Sequence, residues 1–226
     1  MIIESPYGGH WREPLLDAEE KNHVSYWGFD KAAVTDRFWR HNLTPTGVQA
    51  FAAGKYGQCI SFDGTAGKWL SRASVNLTRM GSGPFTVCGW IYFDSVAGSC
   101  VIMTRSQNLG TTGWAIFQDG GTSVVRVAGV DCYGSVTGLA TQWLFWCARY
   151  TPSTEIAHWI GSTKTTNTSG IPASFAATQA LVFNSVSMDA GESVWPLEGD
   201  IDEVHYWDKA LSDAAIDRLV AGAIYK

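Results

Sequence analysis

The sequence predicts an all-β antiparallel sandwich closed by one short C-terminal helix, and three observations carry that prediction. The first is composition: Trp 11, Tyr 8 and Phe 10 stand against 24 glycines, a mixture in which aromatics pave sheet faces and glycine supplies turns. The second is rhythm, because short β-like runs alternate with turn-rich breaks from Val24 onward. The third is the lack of helical patterns between those runs, which argues against a parallel α/β sheet. No internal repeat is evident, so propellers and solenoids are disfavoured.

Residues 1–22 are polar and irregular, with turn signals at SPYGG and REP, and read as an N-terminal arm, disordered or docked on a partner. Residues 23–226 read as one domain. Its candidate strands are VSYWGF, GQCISF, KWLSRA, PFTVCGWIYF, CVIMTR, GWAIFQ, SVVRVAG, QWLFWCARY, EIAHWIG, QALVFN and GDIDEVHYW. The intervening TPTG, DGTAG, GSGP, DSVAGS, NLGTTG, DGG, TPST and TKTTNTSG read as turns and loops. FTVCGWIYF and WLFWCARY are apolar on both faces, which predicts central strands covered by the core on one side and by loops or partners on the other. In GDIDEVHYW, Ile201, Val204 and Tyr206 break strict alternation, and a bulge at Asp202-Glu203 would turn all three toward the core. In LSDAAIDRLVAG, Ser212 suits an N-cap, Asp213 the first turn and Gly222 the C′ position. Ile216, Leu219 and Val220 then form one apolar stripe to lie against the sheet.

Charge and cysteine content bound the function. With 226 residues, a net charge of −5 and no run of Lys or Arg, the chain lacks the basic stripe of a nucleic-acid binder. No apolar run approaches the ~20 residues needed to span a bilayer. The amino terminus, MIIESPYGGHWREPLL, has neither a positive leader nor an apolar h-region, so synthesis in the cytoplasm without a secretory signal is expected. Cys59, Cys88, Cys100, Cys132 and Cys147 form an odd set with no C-x-x-C pair, and most lie in apolar runs. They read as buried free thiols rather than a disulfide framework or a zinc site. His10, His23, His41, His158 and His205 are scattered without metal-ligand spacing, and no G-x-S-x-G or phosphate-binding loop occurs.

SYWGFD at 25–30, GKYGQCISFDG at 54–64, PFTVCGWIYF at 84–93, QWLFWCARY, the EIAHWIG hairpin and GDIDEVHYWDKALSDAAIDRL follow one another in a familiar order. Together they resemble the laminin G-like branch of the concanavalin A-like lectin/glucanase superfamily, over residues 24–222. The resemblance implies an antiparallel two-sheet jelly roll with about a dozen strands. It also raises two site questions. Laminarinase-type hydrolases of the superfamily carry nucleophile and acid/base on one strand as E-x-D-x-x-E, a spacing that Glu198, Asp200 and Glu203 copy. Gly199 stands where those enzymes have a bulky apolar residue, and only the terminal helix follows this strand, so the string reads as the closing strand of a binding domain. The superfamily often ties first strand to last with a structural Ca²⁺, and Asp30 and Asp202 occupy matching places; ordinary turn and strand-end aspartates are the alternative.

Sugar binding would need aromatic platforms beside polar groups. Trp39, Trp69 and Trp195 lie in or beside loops and are the candidates, with core or rim packing as the alternative role. Asn42, Asn76 and Asn167 sit in N-x-[ST] strings, read as chance matches. The expected function is a non-catalytic recognition or adhesion module for a glycan or cell-surface receptor. A laminin G-like domain without an export signal suits a phage virion assembled in bacterial cytoplasm and released by lysis. The arm would then attach it to other virion proteins, as a monomer or a homo-oligomer. A purely structural decoration protein is the second reading, a glycoside hydrolase the third.

Overall fold

The computed structural model describes residues 22–222, apart from 74–76, 78, 107–108, 110–111, 177 and 186–194. The expected arm, His10 and Asn76 therefore lie outside the described residues, Asn22 excepted. The chain opens with β1 (His23–Trp27) and a 3-10 turn (Asp30–Ala32), then β2 (Thr44–Thr46), β3 (Ala50–Ala53), β4 (Gln58–Asp63) and β5 (Trp69–Arg72). Its middle supplies β6 (Phe85–Phe93), β7 (Ser99–Ser106), β8 (Gly113–Asp119), β9 (Thr122–Val127), β10 (Val130–Ser135) and β11 (Trp143–Thr151). Then β12 (Glu155–Ile160), β13 (Thr163–Asn167), β14 (Leu181–Phe183) and β15 (Glu198–Trp207) lead into helix α1 (Asp213–Val220).

These strands form two antiparallel sheets. The first runs β13-β12-β11-β6-β15-β4-β3, with β1 paired to the far half of β15; the second runs β10-β9-β8-β7-β14-β5-β2. Every pairing is antiparallel, as an all-β sandwich built from hairpins and crossovers requires. Ile91, Trp146, Ile201 and Tyr206 from the first sheet meet Ile102, Trp114, Ile116 and Phe183 from the second in one core. Full burial of side chains of this size contributes roughly 1.5–3 kcal/mol each.

The bulge forms where expected. The β15–β6 register shifts between Asp202 and His205, and Glu203 takes φ 51. Ile201, Val204 and Tyr206 all reach the core as a result. Earlier on the strand, Gly199 holds φ 150, and a Cβ there would drive into the Tyr92 carbonyl on β6.

The second apolar face of the central strands is covered by the protein's own helix rather than by loops or partners. Cys88, Trp90, Phe145, Cys147, Trp159 and Trp207 pack beneath Leu211, Ala215, Ile216 and Leu219. Ser212 caps α1 by accepting the Ala215 N–H at 3.2 Å. Arg149 pins the helix entry from below, donating to Leu211 O at 2.7 Å and Asp213 Oδ1 at 2.6 Å, with Glu155 as a further partner. Its guanidinium lies 4.9 Å from the Trp159 ring. All five cysteines are free and buried; Cys88 and Cys147 sit opposite one another on β6 and β11.

Four strands run through segments that read as turns or escaped notice: β2 in TPTG, β3 in AFAA, β10 in VDCYGS and β13 in TKTTNTSG. Each is an edge or near-edge strand. Such strands are short or of mixed polarity because one side faces water, so the alternation that marks a half-buried strand is weak.

Candidate functional site

Trp195 stands at one end of the sandwich, three residues before β15. Its carbonyl accepts the Val101 N–H at 2.9 Å, which anchors the segment to β7, and its backbone is left-handed at φ 65. The indole is 38% exposed and lies 6.2 Å from the Phe117 ring. On one side opens a shallow cavity of about 130 Å³, lined by Ser95, Ser99, Cys100, Gln118, Pro196 and Glu198. Ser99 donates to Asp119 at 2.5 Å and Gln118 to Val96 O at 2.7 Å, so the polar wall is fixed in place. Cavities that enclose a small molecule run to roughly 300–1,000 Å³, so this one takes the end of a ligand rather than its whole body.

On the other side of Trp195 lies the outer face of the second sheet. Register places Val101, Phe117, Val124 and Tyr133 in one row across β7 to β10, with Ala115, Arg126 and Asp131 in the next. Tyr133 is 59% exposed. Arg126 grips Asp131 through two bonds of 2.5 and 2.8 Å, and the Tyr133 hydroxyl donates to the same carboxylate at 2.8 Å. Burial alone would raise Asp131, but the Arg126 and Tyr133 bonds outweigh it and hold the carboxyl below its usual range. Val101, Phe117 and Val124 are buried, so among the described residues Tyr133 is the one ring this face exposes, with a charge pair locked beside it, a combination that can stack a sugar face and orient its hydroxyls. Tyr133, Arg126 and Asp131 were not singled out from the sequence. The signal was there: Ala128-Gly129 is a turn dipeptide, and folding VVRVAGVDCY about it sets Arg126 opposite Asp131.

The three tryptophans named from the sequence do not converge on one site. Trp69, in β5, is half-buried opposite Thr46 of edge strand β2. Asn184 joins the Lys68 carbonyl at 2.7 Å and also accepts the Leu197 N–H, so Trp69 belongs to the Trp195 end. Trp39 lies beside β1, whose Tyr26 pairs with His205. His205 is seven residues along β15 from Glu198, about 23 Å at the usual strand rise.

The three carboxylates also part company. Glu198 is exposed and lines the cavity. Asp200 is half-buried opposite Ser61, and burial raises its carboxyl. Glu203 is only 2% exposed and receives the Tyr26 hydroxyl at 2.5 Å; burial first, then the neighbouring Asp202 and Asp30 charges, push it up to about 8. A glycosidic acid/base must reach the glycosidic oxygen. Glu203 is sealed under β1 and cannot, so the E-x-D-x-x-E string serves the strand and its bulge.

Asp30 and Asp202 do meet at one place, the turn between β3 and β4. Asp30 Oδ1 accepts the Gln58 N–H at 3.1 Å, Asp202 Oδ2 that of Tyr56 at 3.0 Å, and Asp202 Oδ1 that of Glu203 at 2.8 Å. Burial, opposed by these bonds, pushes Asp202 up to about 7. Calcium takes 6–8 oxygen ligands. Among the described residues no three His, Cys, Asp or Glu are grouped to hold an ion, and the groups facing these aspartates are N–H donors. That set suits a hydrogen-bonded clamp on the turn and does not fit a calcium shell.

The described histidines are packed side chains. His23 and His205 are 3.1 Å apart and stack between Tyr26 and Trp207, His41 meets Ser25 at 2.6 Å, and His158 meets Ser123 at 3.3 Å.

No protein-family model matches the sequence, and no curated protein matches it. Solved structures do resemble the fold. The binding domain of botulinum neurotoxin DC, solved with rat synaptotagmin II, aligns with TM-score 0.68 at 12% identity, covering 91% of this chain and 52% of that one. A botulinum neurotoxin type C structure, described with two ganglioside molecules on which cell entry depends, gives TM-score 0.67 at 12% identity over the same shares. This chain thus spans about half the length of those toxin domains. Domain 4 of a GH43 extracellular arabinanase from Geobacillus stearothermophilus, solved with arabinotriose, gives TM-score 0.64 at 15% identity, covering 88% of this chain and 98% of that domain.

Proposed function

We propose that this chain is a non-catalytic recognition module that binds a glycan at the Trp195 end of the sandwich. One observation carries the reading: an exposed indole, fixed by its own carbonyl, stands between a polar cavity and a sheet face that presents Tyr133 beside a locked Arg126–Asp131 pair. The resemblance to a toxin binding domain and to an arabinanase domain solved with arabinotriose supports a binding role over a catalytic one. Within that reading we place the chain with laminin G-like domains, on the order of its motifs from SYWGFD to GDIDEVHYW. A virion setting accounts for five thiols kept free and buried, as in a chain folded in a reducing compartment. Co-sedimentation with purified particles tests that setting.

The test of binding is a glycan array on the purified chain, followed by titration of the best hit. Trp195→Ala is expected to weaken that hit about tenfold, the equivalent of ~1.4 kcal/mol. EDTA is expected to leave it unchanged, given the donors around Asp30 and Asp202; loss of binding in EDTA would restore the calcium expectation. A blank array would remove the glycan reading and favour a purely structural decoration protein.

A further inference from the structure

Residues 36–41, DRFWRH, form a loop at the end of the molecule opposite Trp195. Its centre is Asp36, which is 0% exposed. The Asp36 carboxylate gathers four backbone N–H groups: Tyr26 at 3.0 Å and Phe38 at 3.1 Å on Oδ1, Arg40 at 3.2 Å and His41 at 2.9 Å on Oδ2. The Trp39 N–H closes a four-residue turn onto Asp36 O at 2.8 Å. Aspartate at the head of a turn, bonding the backbone two residues on, is a stable local device. Here it also fastens the loop to β1. Phe38 completes the anchorage, meeting the His23 ring edge-on at 4.9 Å.

That scaffold holds Trp39 in an unusual state. Its backbone is left-handed at φ 59, a conformation that bulky residues rarely adopt. Its ring is 69% exposed, more than Tyr133 at 59% or Trp195 at 38%. A strained backbone that serves to hold an aromatic face in water is evidence of use rather than of packing. Arg37 and Arg40 flank it, both exposed. Arg40 makes no ion pair among the described residues. Arg72 lies alongside, donating to Arg40 O and Asn42 O at 3.2 Å each. The one carboxylate of the loop, Asp36, is buried and occupied. A protein of net charge −5 thus presents a small basic patch around one indole.

We infer that residues 36–41 form a second binding site, selective for an acidic sugar, in which a pyranose face stacks on Trp39 and its carboxylate is received by Arg40. Arg37 adds positive potential, and the four bonds to Asp36 keep the platform rigid, so little ordering entropy is lost on binding. The inference rests on the recognition-module reading but uses different residues at the other end of β15. A membrane anchor would sink several apolar side chains into the interface. Here Phe38, 38% exposed and edge-on to His23, is the one other apolar ring of the loop, and arginines flank Trp39 on both sides.

The probes are a uronic-acid trisaccharide and its carboxyl-reduced neutral counterpart, titrated by calorimetry against the full chain. The acidic sugar is expected to bind at least tenfold more tightly. Trp39→Ala should abolish binding of both, and Arg40→Gln should bring the acidic sugar down to the level of the neutral one. Trp195→Ala should leave the acidic sugar unaffected, which separates this site from the first. Equal affinity for the two sugars, or unchanged binding in Trp39→Ala, overturns the inference. So does Trp39-dependent binding to phosphatidylserine vesicles without sugar binding. Circular dichroism confirms that each variant is folded, as expected for changes at exposed positions.

Discussion

Gly199 and Glu203 decide what the E-x-D-x-x-E string is for. Gly199 lets β15 press against the Tyr92 carbonyl, and Glu203 turns the bulge that returns Val204 to the core. Gly199→Ala puts a methyl group into a carbonyl in the middle of a sheet, so it is expected to destabilise the fold by about 2 kcal/mol or more. Urea denaturation measures this, and a change under ~0.5 kcal/mol would contradict the close approach. At this scale the sequence was legible in part. The bulge followed from the spacing of Ile201, Val204 and Tyr206. The tryptophans were legible only in part, because burial depends on what arrives from elsewhere in the chain. Loop neighbours did mark Trp39 and Trp195, which are exposed, against the strand residues Trp114, Trp146, Trp159 and Trp207, which are sealed; they did not reveal that Trp69 is half-buried in β5.

Helix α1 is the element that converts the first sheet from one-faced to two-faced. Its hold on the sheet is concentrated at Arg149, whose side chain is 7% exposed against 54% for that of Asp213. Replacing Arg149 with Met leaves Glu155 and the Leu211 carbonyl without their donor, and a loss of about 2–3 kcal/mol is expected. Asp213→Asn should cost under ~1 kcal/mol, since that end of the pair is half in water. Equal effects in a denaturation series would mean that the apolar seal alone seats the helix. The N-cap and apolar stripe of α1 were readable from LSDAAIDRLVAG, and two apolar faces on β6 and β11 announced that something must cover them. The cover proved to be α1 itself. Edge strands β2, β3, β10 and β13 were not readable, because short half-solvated segments look the same paired or unpaired.

Across the whole molecule, buried ionisable groups set a pH optimum. Burial lowers His23 and His158 to about 3 and takes His205 well below its ordinary value. The unfolded chain binds those protons near pH 6.5 and the folded one does not, so this stability is complete above 6.5 and is lost as pH falls toward 3. Asp202 and Glu203 act in the other sense. With folded values of about 7 and about 8, they favour the fold at low pH and withdraw that support as pH rises from their ordinary range through 8. The two trends oppose one another between about pH 4.5 and 6.5, so stability is expected to peak near pH 6. Urea midpoints from pH 3 to 9 would trace this, with His158→Gln flattening the acid limb; a level profile would contradict it. The fold class was visible from strand rhythm alone. The surroundings of Trp195 were not, because the sheet order sets β14 beside β7, and the chain then brings Trp195 back to Phe117 from far along the sequence.

The sealing of the cysteines has a practical consequence. No cysteine is more than 6% exposed, and burial pushes the thiols of Cys59 and Cys100 up to about 12. Thiolates, the forms that react with maleimides and iodoacetamides, are therefore scarce and shielded in the native protein. A single cysteine introduced beside Trp39 or beside Trp195 would be the one reactive handle on the surface. Each end of the molecule can thus carry a fluorophore or spin label of its own, without removing a native residue from the core.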